Sequence, residues 1–153
     1  MKKIIALSLV ISCVLGVLTA CDTANIKTSK SYTFEVETGD NIKVSLDTSD
    51  DYNISSDLPF VISCDDEKLS QGTFIFAEYY QDYIEVVEDD DKAEIIDTGK
   101  KNGNEYIFWC FDNKEWNYAI LIADSNTAII LGNTVSQKTA ERCFKRLTIS
   151  VDD

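Results

Sequence analysis

The chain has 153 residues, with 14 Lys+Arg against 27 Asp+Glu, a formal charge of −13 and no histidine. The missing basic footprint excludes a nucleic-acid partner, and the missing histidine excludes every triad and zinc site that uses one. Apolar residues at 44%, with 7 Tyr, 7 Phe and 2 Trp, are enough to build a core, and the length fits one domain.

Lys2 and Lys3 precede an almost unbroken apolar run, Ile4 to Leu18. It is short for a membrane span, which needs about 20 residues, and suits a signal-peptide core. Leu18-Thr19-Ala20-Cys21 follows. This resembles the lipobox of bacterial lipoproteins, with a branched residue, two small residues and then the cysteine. The resemblance implies that residues 1–20 are a cleaved signal peptide and that the Cys21 thiol carries diacylglycerol and becomes the lipidated N-terminus. The acid next in line, Asp22, resembles an inner-membrane retention signal of Gram-negative bacteria, and a Gram-positive cell has only one membrane to offer. Both cases imply the outer face of the cytoplasmic membrane. The competing reading is an ordinary secretory peptide or an uncleaved anchor. Without Lys2 and Lys3 the chain has 12 basic residues against 27 acidic ones, a balance of −15. An anionic bilayer repels such a domain, so lipid is the expected tether. One acyl chain binds only marginally, at about 0.8 kcal/mol per buried CH₂, whereas two or three on one cysteine hold stably.

Residues 21–31 read as that lipidated start and a flexible tether, with Lys27 and Lys30 as solvated linker charges; residues 32–153 read as a single domain. Tyr32 to Glu37 and Ile42 to Leu46 alternate apolar and polar residues around Thr38-Gly39-Asp40-Asn41, the pattern of a hairpin. Tyr52 to Ile54 is a short strand, Pro59 opens another over Phe60 to Cys64, and Thr73 to Phe76 is a third. Phe76, Tyr80, Tyr83, Ile84 and Val87 then mark one face of a helix over 77–88. Ala93 to Asp97 is a strand, followed by a hairpin loop over Gly99 to Gly103. Glu105 to Phe111 and Trp116 to Ala123 form a hairpin, and Thr127 to Leu131 adds a strand. Ser136 is placed to cap a second helix, with Val135 and Ala140 as a hydrophobic staple. Ala140, Cys143, Phe144 and Leu147 make its apolar face. Thr148 to Val151 is a final strand.

In Tyr106 to Phe111 both alternating sets are apolar, so that strand needs cover on both faces, which the two helices can supply. The expected fold is α+β, a mostly antiparallel sheet with two amphipathic helices packed on it. This element order, with the leader, resembles the PsbP-like fold and its DcrB-type bacterial lipoproteins. That resemblance implies an accessory binding role and brings no catalytic residues.

After Cys13 and Cys21 are set aside, Cys64, Cys110 and Cys143 remain. Cys110 and Cys143 are the candidate disulfide, if the second helix packs over that strand; the preferred alternative makes all three small buried hydrophobes. A catalytic cysteine would lack a histidine to activate it. Three acidic clusters, Asp47/Asp50/Asp51, Asp65/Asp66/Glu67 and Glu88 to Asp91, lack the calcium-loop pattern and read as solvated turns, so no metal and no cofactor is expected. Gly99-Lys100-Lys101-Asn102-Gly103 has the wrong spacing for a phosphate loop. Tyr79, Tyr80, Tyr83, Trp109, Trp116 and Tyr118 read mainly as core, with Tyr79 off the apolar helix face. The expectation is a non-enzymatic binding module on the membrane, whose partner is an envelope or surface protein or a cationic ligand. The alternatives are a protective lipoprotein that blocks a phage or secreted toxin, and a hydrolase that works with carboxylates alone.

Overall fold

The computed structural model describes residues 28–152. The leader, the lipobox and the tether up to residue 27 lie outside the described residues. The first hairpin is β1 (Ser29–Glu35) and β2 (Asn41–Asp47), paired antiparallel and turned through Gly39 at φ +90°. Alternation sends Phe34, Ile42, Val44 and Leu46 into the core. The pairing begins at Ser29, so Ser29, Lys30 and Ser31 belong to a strand rather than to the tether. Lys30 is not a solvated linker charge: its Nζ donates to Asn53 Oδ1 at 2.9 Å and lies 5.2 Å from the Tyr32 ring centre.

The chain continues through β3 (Tyr52–Ile54), β4 (Phe60–Cys64), β5 (Glu67–Phe76), α1 (Tyr79–Asp89), β6 (Ala93–Lys101), β7 (Asn104–Phe111), β8 (Glu115–Leu121), β9 (Thr127–Asn133), α2 (Gln137–Arg146) and β10 (Leu147–Val151). The fold is α+β and rich in sheet, with every strand pairing antiparallel. The strands divide into two sheets, β1-β2-β10 and β3-β4-β5-β9-β8-β7-β6. The terminal strand leaves the meander to pair with β2, Ile149 opposite Val44.

The main core lies between the small sheet with α2 and one face of the large sheet; Val44, Leu46, Phe60, Ile62, Phe108, Ile120, Leu131 and Cys143 belong to it. Across the large sheet, Tyr80 and Val87 of α1 meet Ile107, Trp109, Ala119 and Ala128. Strand β7 is therefore apolar on both faces because Tyr106 and Phe108 face one cluster and Ile107 and Trp109 the other. At Gly72 any Cβ would lie 2.0 Å from the Phe60 ring, so only glycine lets that ring cross β5.

Turn chemistry accounts for much of the acidic sequence. Asp50-Asp51, Asp65-Asp66 and Asp112-Asn113 all have positive φ, a region that Asp and Asn tolerate better than other side chains. The loop expected over Gly99 to Gly103 is only Asn102-Gly103, both at positive φ, the two-residue turn that matches strand twist. Gly99, Lys100 and Lys101 continue β6.

Two polar joints tie the sheets together. Asp40 Oδ2 accepts from Thr127 Oγ1 at 2.7 Å and from the Asn126 amide at 2.8 Å. The Thr127 hydroxyl, more than any other neighbour, holds the Asp40 carboxyl below its usual range. Buried Asn104 donates to the Ile149 carbonyl at 2.9 Å and accepts from the Ala123 amide at 3.0 Å.

Candidate functional site

The two helices lie on opposite faces of the large sheet, and each carries a distinct surface. Helix α2 is capped as the sequence predicts: the Ser136 hydroxyl accepts from the Thr139 amide at 3.1 Å. Asn133, buried beneath it, accepts from the amides of Val135 and Ser136 and donates to Ser70 Oγ at 2.9 Å. Val135, the expected staple partner of Ala140, remains 53% exposed. Rings seat the other end of the helix. Phe144 stacks on Tyr118 at 4.1 Å, and Tyr118 on Phe108 at 4.1 Å.

The last turn of α2 is held by cations. Lys101 reaches from β6 and donates to the carbonyls of Phe144, Lys145 (3.0 Å) and Leu147 (2.8 Å), with its Nζ 4.6 Å from the Phe144 ring centre. A cation at a helix C-terminus is favoured by the helix dipole. Burial opposes it and pushes the Lys101 ammonium down to about 8. Arg146 pins the β2–β3 loop. It donates to the Ser49 carbonyl at 2.9 Å, pairs with Asp47 and Asp50, and lies 4.0 Å from the Tyr52 ring centre. Arg146, Asp47, Asp50 and Tyr52 border a cleft of about 970 Å³, lined also by Thr28, Ser29, Cys64, Arg142, Lys145 and Thr148.

Among the described residues, Cys64, Cys110 and Cys143 are free thiols, so the candidate Cys110–Cys143 disulfide does not form. Cys143 contacts Ser70, and one register row runs Ser70, Asn133, Trp116, Cys110 across four strands. Three strand spacings of about 4.8 Å separate its ends, about 14 Å, well beyond disulfide reach. Burial raises the thiols of Cys143 and Cys64, the opposite of what activates a nucleophile.

Helix α1 is the contrasting surface. Glu78 at its N-cap makes no capping bond, and its last turn has no basic residue. Only Tyr80 and Val87 of the helix are buried. Beside that buried stripe runs a second, exposed one: Tyr79 (47%), Tyr83 (38%) and Val86 (64%), spaced i, i+4, i+7. It begins at Phe76, 40% exposed, whose ring meets Tyr79 edge-on at 6.2 Å. Sequence periodicity assigned Phe76 and Tyr83 to the buried helix face, but the helix turns Tyr83 outward, and Phe76 ends β5 and is exposed there. Phe76 also lines an adjoining groove of about 420 Å³ with Leu58, Pro59 and Phe74, so the apolar surface continues past the helix end.

Carboxylates rim this stripe. From Glu78 to Asp91 there are seven acidic side chains and no Lys or Arg. Five of them border a shallow depression of about 710 Å³ beside Val86: Asp82, Glu85, Asp89, Asp90 and Asp91. Among the described residues, no group of three or more Cys, Asp or Glu is placed to hold a metal ion, and no helix is long and apolar enough to cross a membrane.

Of the aromatics singled out in the sequence, Trp109, Tyr118 and Tyr80 are buried and Trp116 is half-buried. Only Tyr79 and Tyr83 are offered to solvent. The signal for the exposed stripe was present as a doubled period, in which 79, 83 and 86 shadow 80, 84 and 87. No protein-family model matches the chain, and no curated protein matches it.

Proposed function

We propose that the chain is a lipid-anchored extracytoplasmic protein that works as a non-enzymatic binding module and presents α1 to a protein of the envelope or cell surface. The observation that carries this reading is the exposed stripe Phe76, Tyr79, Tyr83 and Val86, rimmed mainly by carboxylates, with Lys92 as the one cation lining the depression beside Val86. Aromatic side chains bury large areas at little entropic cost and dominate interface energetics. The acidic rim selects an amphipathic segment rich in Lys and Arg, and such a segment would also relieve the uncompensated negative end of α1. Accessory binding is the role implied by the PsbP-like resemblance, and lipidation at Cys21 the one implied by the lipobox. An acidic decoy against a phage or toxin would need the charge but not the rings. A hydrolase would need carboxylates free to take up protons, whereas Asp47 and Asp50 in the cleft beside α2 are engaged by Arg146.

The test is a photo-crosslinking side chain at position 83 in intact cells. The expected result is one discrete adduct whose crosslinked peptide is basic and amphipathic. Tyr79→Ala, or Asp82→Lys with Glu85→Lys, should abolish it without loss of folded protein. An adduct indifferent to both changes, or none at all, removes α1 as the docking face.

A further inference from the structure

The acidic charge of the mature chain is not spread evenly. Residues 28–56 and 134–152, which make the small sheet, β3 and α2, have six basic and eight acidic side chains, a balance of −2; residues 57–133 have five against seventeen, a balance of −12. The near-neutral part is also where the tether joins the domain. Thr28 and Ser29 line the same cleft as Arg142, Lys145 and Arg146. Arg146 is committed to Asp47 and Asp50, but neither Arg142 nor Lys145 forms a salt bridge among the described residues, and both are exposed. Two solvent-facing cations without a paired carboxylate therefore sit together beside Thr28 and Ser29, where the described chain begins.

We propose that this face lies on an anionic bilayer, with Arg142 and Lys145 against lipid phosphates and α1 turned away towards the aqueous side. The inference rests on acylation of Cys21. Seven Cα-to-Cα steps lead from Cys21 to Thr28, which reach at most about 24 Å when extended. A domain of this size is about 35 Å across, so the tether cannot wrap it, and the side bearing Thr28 stays near the headgroups. Electrostatics then chooses the roll of the domain. Headgroups repel the −12 part and attract the two free cations, each of which contributes about fivefold to association at an anionic surface. Whole-chain repulsion sets how weakly the domain would bind without its lipid; the asymmetry sets which way it faces once held.

The experiment uses the acylated full chain purified from cells, in a Cys64→Ser background, with a fluorescent probe at Thr148→Cys beside the cleft or at Gln81→Cys on α1. Each protein is incorporated into phosphatidylcholine vesicles with or without phosphatidylglycerol, and a headgroup nitroxide lipid quenches the probe. On the anionic vesicles, quenching at position 148 should exceed that at 81. Arg142→Glu with Lys145→Glu should lower the ratio, and so should removal of phosphatidylglycerol. Equal quenching at both positions, or a ratio that ignores the charge reversal, overturns the orientation while the anchor stands. Protein that fails to float with the vesicles overturns the anchor first, and the orientation with it.

Discussion

Helices α1 and α2 are of similar length and lie on opposite faces of one sheet, yet they are built on opposite terms. Helix α2 has a serine cap, Lys145 and Arg146 in its last turn, and Lys101 brought from β6 to its final carbonyls. Its polar ends are answered from within the molecule. Helix α1 has no side-chain cap, ends among carboxylates and leaves half of its apolar residues in water. In stability terms α2 is finished and α1 is not. Marginally stable folds tolerate such a deficit where function requires a surface that something else completes. Under the proposed function, the difference separates the helix that holds the fold from the helix offered to a partner.

The comparison breaks most visibly at Arg146. Arg146→Ala should cost about 2–3 kcal/mol, because it takes the guanidinium donor from the Asp47 and Ser49 carbonyls, breaks the ion pairs to Asp47 and Asp50, and uncovers Tyr52. Urea unfolding at low salt measures this, and a loss below about 0.5 kcal/mol would show that the β2–β3 loop closes α2 without it. Lys101→Met comes next, at about 1 kcal/mol near neutral pH, because three carbonyls lose their donor while the methionine keeps the apolar stem over Phe144. Its pH dependence is the sharper test. In the folded protein the ammonium titrates near 8, below its ordinary 10.5. Between these values the folded state has released a proton that the unfolded chain still holds, so stability rises with pH across that window. Below pH 8 both states are protonated and the burial penalty is present in full. The advantage of the wild-type protein over Lys101→Met should accordingly widen from pH 8 to 10.5. A gap that stays flat would mean that the three carbonyls hold the ammonium charged throughout.

Local signals in the sequence were reliable where one element decides its own conformation. The hairpin from Tyr32, the Ser136 cap and the strand apolar on both faces over Tyr106 to Phe111 follow from period and capping chemistry, and the structure has all three. Readings failed where a distant contact decides. Ser29 to Ser31 look like linker, yet β2 supplies their partners. Lys101 looks like a loop charge in Gly-Lys-Lys-Asn-Gly, but its acceptors lie more than forty residues away. Cys110 and Cys143 share a face of the sheet, and only the strand order places three spacings between them. Net charge misled in the same manner, because a sum over the chain conceals that α2 and the small sheet are nearly neutral. The exposed stripe on α1 was half legible. Periodicity finds a helix with apolar residues at both 79/80 and 86/87, but which set faces the sheet depends on how the helix is rolled against Ile107 and Trp109.

The smallest effect tests the comparison from the other side. Glu88 lies in the last turn of α1, exposed, where the helix dipole disfavours a negative charge. Glu88→Lys would place a cation at that end and, three residues after Glu85, a favourable neighbour on the same helix face. The change should stabilise the protein by about 0.5 kcal/mol, whereas the corresponding reversal at the end of α2, Lys145→Glu, should destabilise it by a similar amount. If α1 is unfinished because a basic partner completes it, the variant stabilised at position 88 should lose affinity for that partner as it gains stability. Urea unfolding of both variants, set beside the crosslinking yield at position 83, separates the possibilities. A Glu88→Lys protein that is more stable and still crosslinks fully would show that the acidic end of α1 is tolerated rather than used.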